Sequence, residues 1–343
     1  MAKKQIKNIK ELASLLNLSI TTVSRVLNGK AEAYRISKDT QKRIFKIAKE
    51  YNYKPNTIAR GLKLSRTDTI GLIVPDVSNP FFSAIIKSIE NEVMKMGYML
   101  LVCDSNDNLN TEKELLLLLL SRQVDGMIVA PIGKKFSHIV KVQKSGLPIV
   151  VIDRIPSKTM FHIVTTDSYS GTVEAINYLV SIGHKRIGCI NGITDVYPCI
   201  ERLKGYKDAL KNLGIEYDAD LVSGSSFKIE NGYKETKRLM QLENKPTAIF
   251  AFNNMIGLGV LKAASELNIK IPDDLSLIAF DEQPYSAFLS PPMTTMEQNK
   301  AGIGVKAVQI LMNLIEMPDN KNMDVIKLAV TMKKRNSVKP IDK

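Results

Sequence analysis

From Thr69 onward the chain alternates short apolar runs with amphipathic stretches, and that rhythm admits few folds. Apolar runs at 70–74, 98–103, 126–130 and 148–152 are separated by segments at 80–96, 111–122 and 136–145 whose apolar residues recur at helical spacing. The pattern resumes with helices near 169–182, 200–213 and 230–242, runs at 186–190, 248–252 and 275–280, and a helix ending at 267. Repeated strand–helix–strand units require parallel sheets covered on both faces. About 210 residues of this exceed what one open sheet usually holds, so the body is expected to form two doubly wound α/β lobes.

The residues that follow these runs are repeatedly polar: Pro75-Asp76, Asp104, Pro131, Asp153-Arg154, Asn191, Asn253-Asn254 and Asp281. Open parallel sheets bind ligands beyond the carboxyl ends of their strands, so this set lines a polar cleft. Asn79-Pro80-Phe81-Phe82 adds a helix cap, a proline suited to the first helical turn and two rings. Rings that stack on C–H faces, with planar Asp, Asn and Arg groups that bond vicinal hydroxyls, suit a small polyhydroxylated ligand.

Charge divides the chain differently. Residues 1–66 hold sixteen Lys and Arg against four Asp and Glu, so +12 of the formal +13 sits there and +1 in the other 277 residues. A small basic domain attached to a neutral body points to a polyanion partner for the former. Residues 9–16 form a short amphipathic helix with Ile9, Leu12, Ala13 and Leu16 inward; Asn17 suits a left-handed turn, and Ser19 caps a second helix over 20–27 with Val23 and Val26 or Leu27 inward. A third helix over 38–51 turns Ile44, Ile47 and Ala48 to the same core. Two short helices at this spacing are a helix-turn-helix. The second helix presents Ile20, Thr21, Thr22, Ser24, Arg25 and Asn28, which combine hydroxyls for phosphates, methyl groups for thymine and an arginine able to fork onto guanine.

Three segments carry a resemblance: Ile9-Lys10-Glu11-Leu12-Ala13, Ser19-Ile20-Thr21-Thr22-Val23-Ser24-Arg25-Val26-Leu27-Asn28-Gly29 and Tyr53-Lys54-Pro55-Asn56-Thr57-Ile58-Ala59-Arg60-Gly61-Leu62. They resemble the lactose-repressor (LacI/GalR) family of bacterial transcription factors, and the similarity continues to the chain's end. The loop 29–37 is longer than usual and is similar to that of a subgroup that includes fructose repressors. The resemblance implies a helix-turn-helix domain over 1–55, a hinge helix and linker over 56–66, and an effector-binding and dimerising body over 67–343. It implies an N-lobe of 67–165 with 293–321 and a C-lobe of 166–292 with 322–343. It assigns Arg60, Leu62 and Lys63 to operator DNA, Leu62 being the wedge that unstacks a base step.

The body is similar to periplasmic ribose-type sugar-binding proteins at Asn79, Phe81, Phe82, Asp153, Arg154, Arg202, Phe227, Asn253, Asp281 and Gln298, which the resemblance makes the effector site. Asn254 stands where the family usually has Asp, and Val196 and Pro198 stand where a purine-responsive member has polar contacts. The implied partners are double-stranded operator DNA, a second copy of the chain, and a sugar, sugar acid or sugar phosphate, with a protein corepressor left open. The expected function is allosteric repression of carbohydrate genes, in the cytoplasm.

Other classes fit poorly. Three cysteines do not make a disulfide framework, and the three histidines give no metal-ligand spacing with them. The apolar run 115–120 is far short of the roughly 20 residues that span a bilayer and is expected to be a buried helix. The start carries no secretory pattern, so a transport protein is not expected. Gly257-Leu258-Gly259 and Gly302-Ile303-Gly304 fall within helical patterns and suit close packing rather than a nucleotide cofactor. Without a base paired to a nucleophile, neither an enzyme nor a cofactor is expected.

Overall fold

The computed structural model describes residues 6, 8–53, 66–133, 135–156, 160–317 and 323–341. The chain divides into two units, Met1–Thr67 and Asp68–Lys343. The hinge residues Arg60, Leu62 and Lys63 lie outside the described residues.

The first unit contains α1 (Ile9–Leu16), α2 (Ile20–Leu27) and α3 (Lys38–Glu50). Asn8, Ser19 and Ser37 cap them, each side-chain oxygen accepting a backbone N–H from the first turn. Asn17 ends α1 at φ 51°, ψ 46°, the left-handed geometry expected of it, and its N–H returns to the carbonyls of Ala13 and Ser14. Leu12, Ala13, Leu16, Val23, Val26, Ala31, Ile44 and Ala48 form the core, so Val26 rather than Leu27 is the fully buried residue at the end of α2.

The second unit contains two six-stranded sheets. The N-lobe sheet has the order β11-β5-β4-β3-β1-β2, all parallel, from β1 (Thr69–Val74), β2 (Met99–Asp104), β3 (Gly126–Val129), β4 (Ile149–Ile152), β5 (His162–Thr166) and β11 (Val325–Leu328). The C-lobe sheet has the order β12-β10-β9-β8-β6-β7, from β6 (Ile187–Ile190), β7 (Val222–Ser223), β8 (Ala248–Ala251), β9 (Ser276–Phe280), β10 (Thr294–Gln298) and β12 (Val330–Lys333). Among the described strands, only β12 runs antiparallel to its neighbour. Helices α4 (Pro80–Lys95), α5 (Leu109–Ser121), α6 (Ser137–Gln143) and α11 (Lys300–Glu316) cover the N-lobe; α7 (Ser168–Ser181), α8 (Tyr197–Asn212), α9 (Ile229–Leu239) and α10 (Asn254–Glu266) cover the C-lobe.

This corrects the expected lobe boundaries. Residues 293–298 belong to the C-lobe through β10, and 325–328 belong to the N-lobe through β11. The chain crosses three times: between β5 and α7, between β10 and α11, and at Ala329 between β11 and β12. Each crossing is a few residues long, the arrangement by which two lobes pivot without separating.

The leucine run needs a second correction. In α5 Leu116 and Leu119 are fully buried and Leu115 and Leu120 pack half-buried against the same core, while Leu117 is 61% and Leu118 45% exposed. A run of consecutive leucines covers every side of a helix, and one stripe suffices for the sheet. The adjacent β2 is the free edge of its sheet, and Met99, Leu101 and Val102 are exposed along it. Among the described residues no helix is long and apolar enough to cross a membrane.

Candidate functional site

A cleft of about 580 Å³ lies in the second unit, beyond the carboxyl ends of strands from both sheets. All ten residues expected at the effector site line it: Asn79, Phe81, Phe82, Asp153, Arg154, Arg202, Phe227, Asn253, Asp281 and Gln298. Their placement follows from the fold. Asp153 follows β4, Asn253 is the second residue after β8, Asp281 follows β9, and Gln298 ends β10. Asn79 caps α4 by accepting the Phe81 N–H at 3.0 Å, which stations the Phe81 and Phe82 rings at the cleft, edge to face at 5.0 Å between centroids.

Asp153 and Asp281 adopt the same unusual backbone, with φ 66° and 72° immediately after a strand of each sheet. Aspartate tolerates this left-handed region where most side chains are strained. Both carboxylates are almost fully buried. Burial pushes the carboxyls of Asp153 and Asp281 up, against the pull of Arg154 and Arg202 on Asp153 and of Arg202 on Asp281. Burial raises Asp107 too, with Arg154 opposing and Asp76 reinforcing the rise.

The two arginines are held on one side and open on the other. Arg154 donates from Nη1 to the Pro131 carbonyl at 2.6 Å, and its Nε stands 3.8 Å from Asp153. Arg202 donates to the Phe252 carbonyl, and its guanidinium lies 3.8 Å above the Phe280 ring. Gln298 donates to Asp281. Arg154 Nε, Arg202 Nε and Gln298 Oε1 are buried without a hydrogen-bond partner among the described residues, a set of groups fixed in direction around the cleft.

Phe227 closes one wall. A Cβ added at Gly192 would stand 2.2 Å from its ring, so glycine is required there for the ring to hold its place. We expect Gly192→Ala to displace that ring and weaken ligand binding roughly tenfold, the scale of a modest overpacking penalty, measured by isothermal titration calorimetry. Asn254 is fully buried and donates to the Tyr285 hydroxyl at 3.0 Å, and Val196 packs in the C-lobe core while Pro198 lines the cleft.

Sequence reasoning missed Asp107 and Lys228. Asp107 sits in a turn with Asn106, both at positive φ, three residues beyond Asp104, the polar end of β2; the Asp-Ser-Asn-Asp-Asn string was its one signal. Lys228 follows Phe227 in a loop without periodicity and carried none. Five carboxylates (Asp76, Asp107, Asp153, Glu230, Asp281) face three cations (Arg154, Arg202, Lys228), so the cleft is net negative.

In the first unit, Ile20, Thr21 and Asn28 are exposed on α2, while Thr22, Ser24 and Arg25 are half-buried. Thr22 spends its N–H and hydroxyl on the Ser19 cap, and Asn28 donates to the Ser24 carbonyl at 2.7 Å and hydroxyl at 3.2 Å.

Comparison with known proteins agrees with both units. Residues 8–56 match the model described as bacterial regulatory proteins, lacI family, and residues 67–336 match that described as periplasmic binding proteins and sugar binding domain of LacI family. The chain is 34% identical over 317 residues to the HTH-type transcriptional repressor CytR of Escherichia coli (strain K12), covering 92% of each chain. It is 33% identical over 309 residues to the HTH-type transcriptional repressor PurR of Aliivibrio salmonicida (strain LFI1238), covering 90% of this chain and 92% of that one. Among solved structures, a LacI family transcriptional regulator from Enterococcus faecium with bound ribose superposes with a TM-score of 0.72 at 29% identity, over 80% of this chain and 100% of that one.

Proposed function

Since the chain belongs to the lacI family of bacterial regulatory proteins, we propose that it is a transcriptional repressor controlled by a neutral monosaccharide of pentose size bound in the cleft. It binds DNA through its helix-turn-helix head and is not an enzyme. The residues assigned to DNA are Ile20, Thr21, Thr22, Ser24, Arg25 and Asn28, with Arg60, Leu62 and Lys63 from the hinge; those assigned to the effector are the ten cleft residues above.

The observation that carries the ligand class is the charge balance of the cleft. Its two buried arginines are balanced by the buried Asp153 and Asp281, and the excess of two negative charges lies on the less buried rim, among Asp76, Asp107 and Glu230 beside Lys228. A sugar phosphate or sugar acid brings a further negative charge past an acidic rim into a buried site whose own charges already balance, whereas hydroxyls donate to Asp153 and Asp281 and accept from the guanidinium groups. Apolar Val196 and Pro198 favour a sugar over a purine. The Enterococcus regulator's bound ribose makes D-ribose the first probe. Saturating D-ribose should raise the melting temperature by on the order of 5 °C, with ribose 5-phosphate producing no rise. The reverse order would contradict a neutral effector.

Binding should be proton-linked. Hydroxyls that donate to Asp153 and Asp281 stabilise their ionised form, so the sugar lowers carboxyl pKa values that burial has raised. The chain then releases protons on binding, and affinity rises with pH from the ordinary carboxylate value near 3.9 up through the raised values. Calorimetry in two buffers of different ionisation enthalpy reads this release; proton uptake would refute the assigned carboxylates. The same raised values make the sugar-free fold lose stability as pH rises through that window, because the folded chain holds more protons there than the unfolded one.

The chain acts in the cytoplasm, where its operator lies, as a homodimer. The exposed edge strand β2 with Met99, Leu101 and Val102, and Leu117 and Leu118 on the neighbouring α5, form an apolar face that a second copy would cover. A sugar drawing the lobes together about the three crossings alters the spacing of the paired N-termini, and its unequal affinity for the two states supplies the coupling.

A further inference from the structure

The segment between α2 and α3 is longer than a turn needs, and it is built rather than loose. Gly29 turns the chain at φ 70°, and the Lys30 N–H returns to the Arg25 carbonyl at 2.9 Å. Arg35, at φ 52°, donates to the Glu32 carbonyl at 3.0 Å, and the Ile36 N–H closes onto the Ala31 carbonyl at 2.9 Å. Ala31 is 5% exposed in the head core, and Ile36 packs against that core. This compact excursion carries Tyr34 back over the end of α2, where the Arg25 guanidinium carbon lies 3.6 Å from its ring centroid. Tyr34 is itself 51% exposed, so burial is not its purpose.

We propose that Tyr34 is a positioning residue that holds the Arg25 guanidinium in the plane from which it selects a base. The proposal rests on the assignment of Arg25 to DNA. Stacking occupies a face of the guanidinium, whereas a bidentate contact with a guanine uses its N–H edge, so ring and base engage the same group at once. An unstacked arginine at this position would lose several rotatable bonds' worth of entropy on contact with DNA; the ring removes part of that loss in advance. The longer loop thus sharpens sequence choice without adding a base contact of its own.

The test is selection from a pool of random-sequence duplexes by the full-length chain and by Tyr34→Phe, Tyr34→Leu, Tyr34→Ala and Arg25→Ala. Arg25→Ala identifies the base pair that Arg25 reads, by erasing preference there. Tyr34→Phe should keep that preference, while Tyr34→Leu and Tyr34→Ala lower it roughly two- to fivefold, the Boltzmann equivalent of an exposed cation–π contact. Other positions and the salt dependence should not change, since no phosphate contact is removed. Tyr34→Ala with full preference at Arg25's base pair, or with equal weakening at every position, would overturn the positioning role. Arg25→Ala with every preference intact would instead remove the assignment of Arg25, and the proposal with it.

Discussion

Asp281→Asn is expected to weaken D-ribose binding about a hundredfold while the protein remains folded. The carboxylate is 4% exposed and accepts from Gln298, beside the Arg202 guanidinium. A charged acceptor buried with its donors contributes on the order of 1.5–3 kcal/mol per hydrogen bond, and its loss also removes one of the two buried carboxylates, Asp153 being the other, that act on Arg202. Asparagine is the informative substitution because, at φ 72°, it tolerates the left-handed backbone that alanine would strain. A fall in affinity therefore reports charge and acceptor geometry, not a displaced strand end. Calorimetry provides the affinity and circular dichroism the fold. Unchanged affinity would remove Asp281 from the site.

The second large effect concerns assembly. Glutamate at both Met99 and Leu117 should convert a dimer at micromolar concentration to monomer in sedimentation experiments, and lower operator affinity about a hundredfold. Two heads joined by one body gain the second half-site almost as an intramolecular event, and separated heads lose that advantage. Both side chains are exposed, at 65% and 61%, so the substitutions leave each subunit's core untouched. D-Ribose binding should persist, since every cleft residue comes from one chain. A double mutant that stays dimeric would place the interface elsewhere.

The cleft was legible in the sequence because a parallel sheet turns a position along the chain into a position in space. A polar residue directly after a buried apolar run, as at Asp153 and Asp281, must emerge at the carboxyl edge. Asp107 and Lys228 sit in loops, where no period fixes direction. The strands that escaped notice explain the misplaced lobe boundaries. β5 (His-Ile-Val-Thr-Thr) and β10 (Thr-Thr-Met-Glu-Gln) are rich in polar residues, though four of the five residues in β10 and all in β5 are buried. β11 and β12 alternate exposed and half-buried residues over four positions each. Which sheet such a strand joins is decided by its pairing partner across a crossing, as Thr295 with Lys333 and Val325 with Ile163, and periodicity along the chain does not record partners. The run at 115–120 misled for the opposite reason: apolar composition was complete, and only one stripe of it faces the sheet.

The head was more legible still, because its determinants are local. Caps at Asn8, Ser19 and Ser37 and the left-handed Asn17 fix helix ends within one or two residues. What no local rule supplied was the return of Tyr34 onto Arg25, which depends on Ala31 and Ile36 anchoring the intervening loop in the head core.

Coupling between the two units is the central claim, and the most direct measurement is fluorescence anisotropy of a duplex enriched from the random-sequence pool, titrated with the full-length chain with and without saturating D-ribose. The account predicts that the sugar shifts the DNA dissociation constant at least tenfold for the native chain and leaves it unshifted for Asp281→Asn. Ribose that binds the native chain at the cleft without altering its affinity for DNA would contradict it.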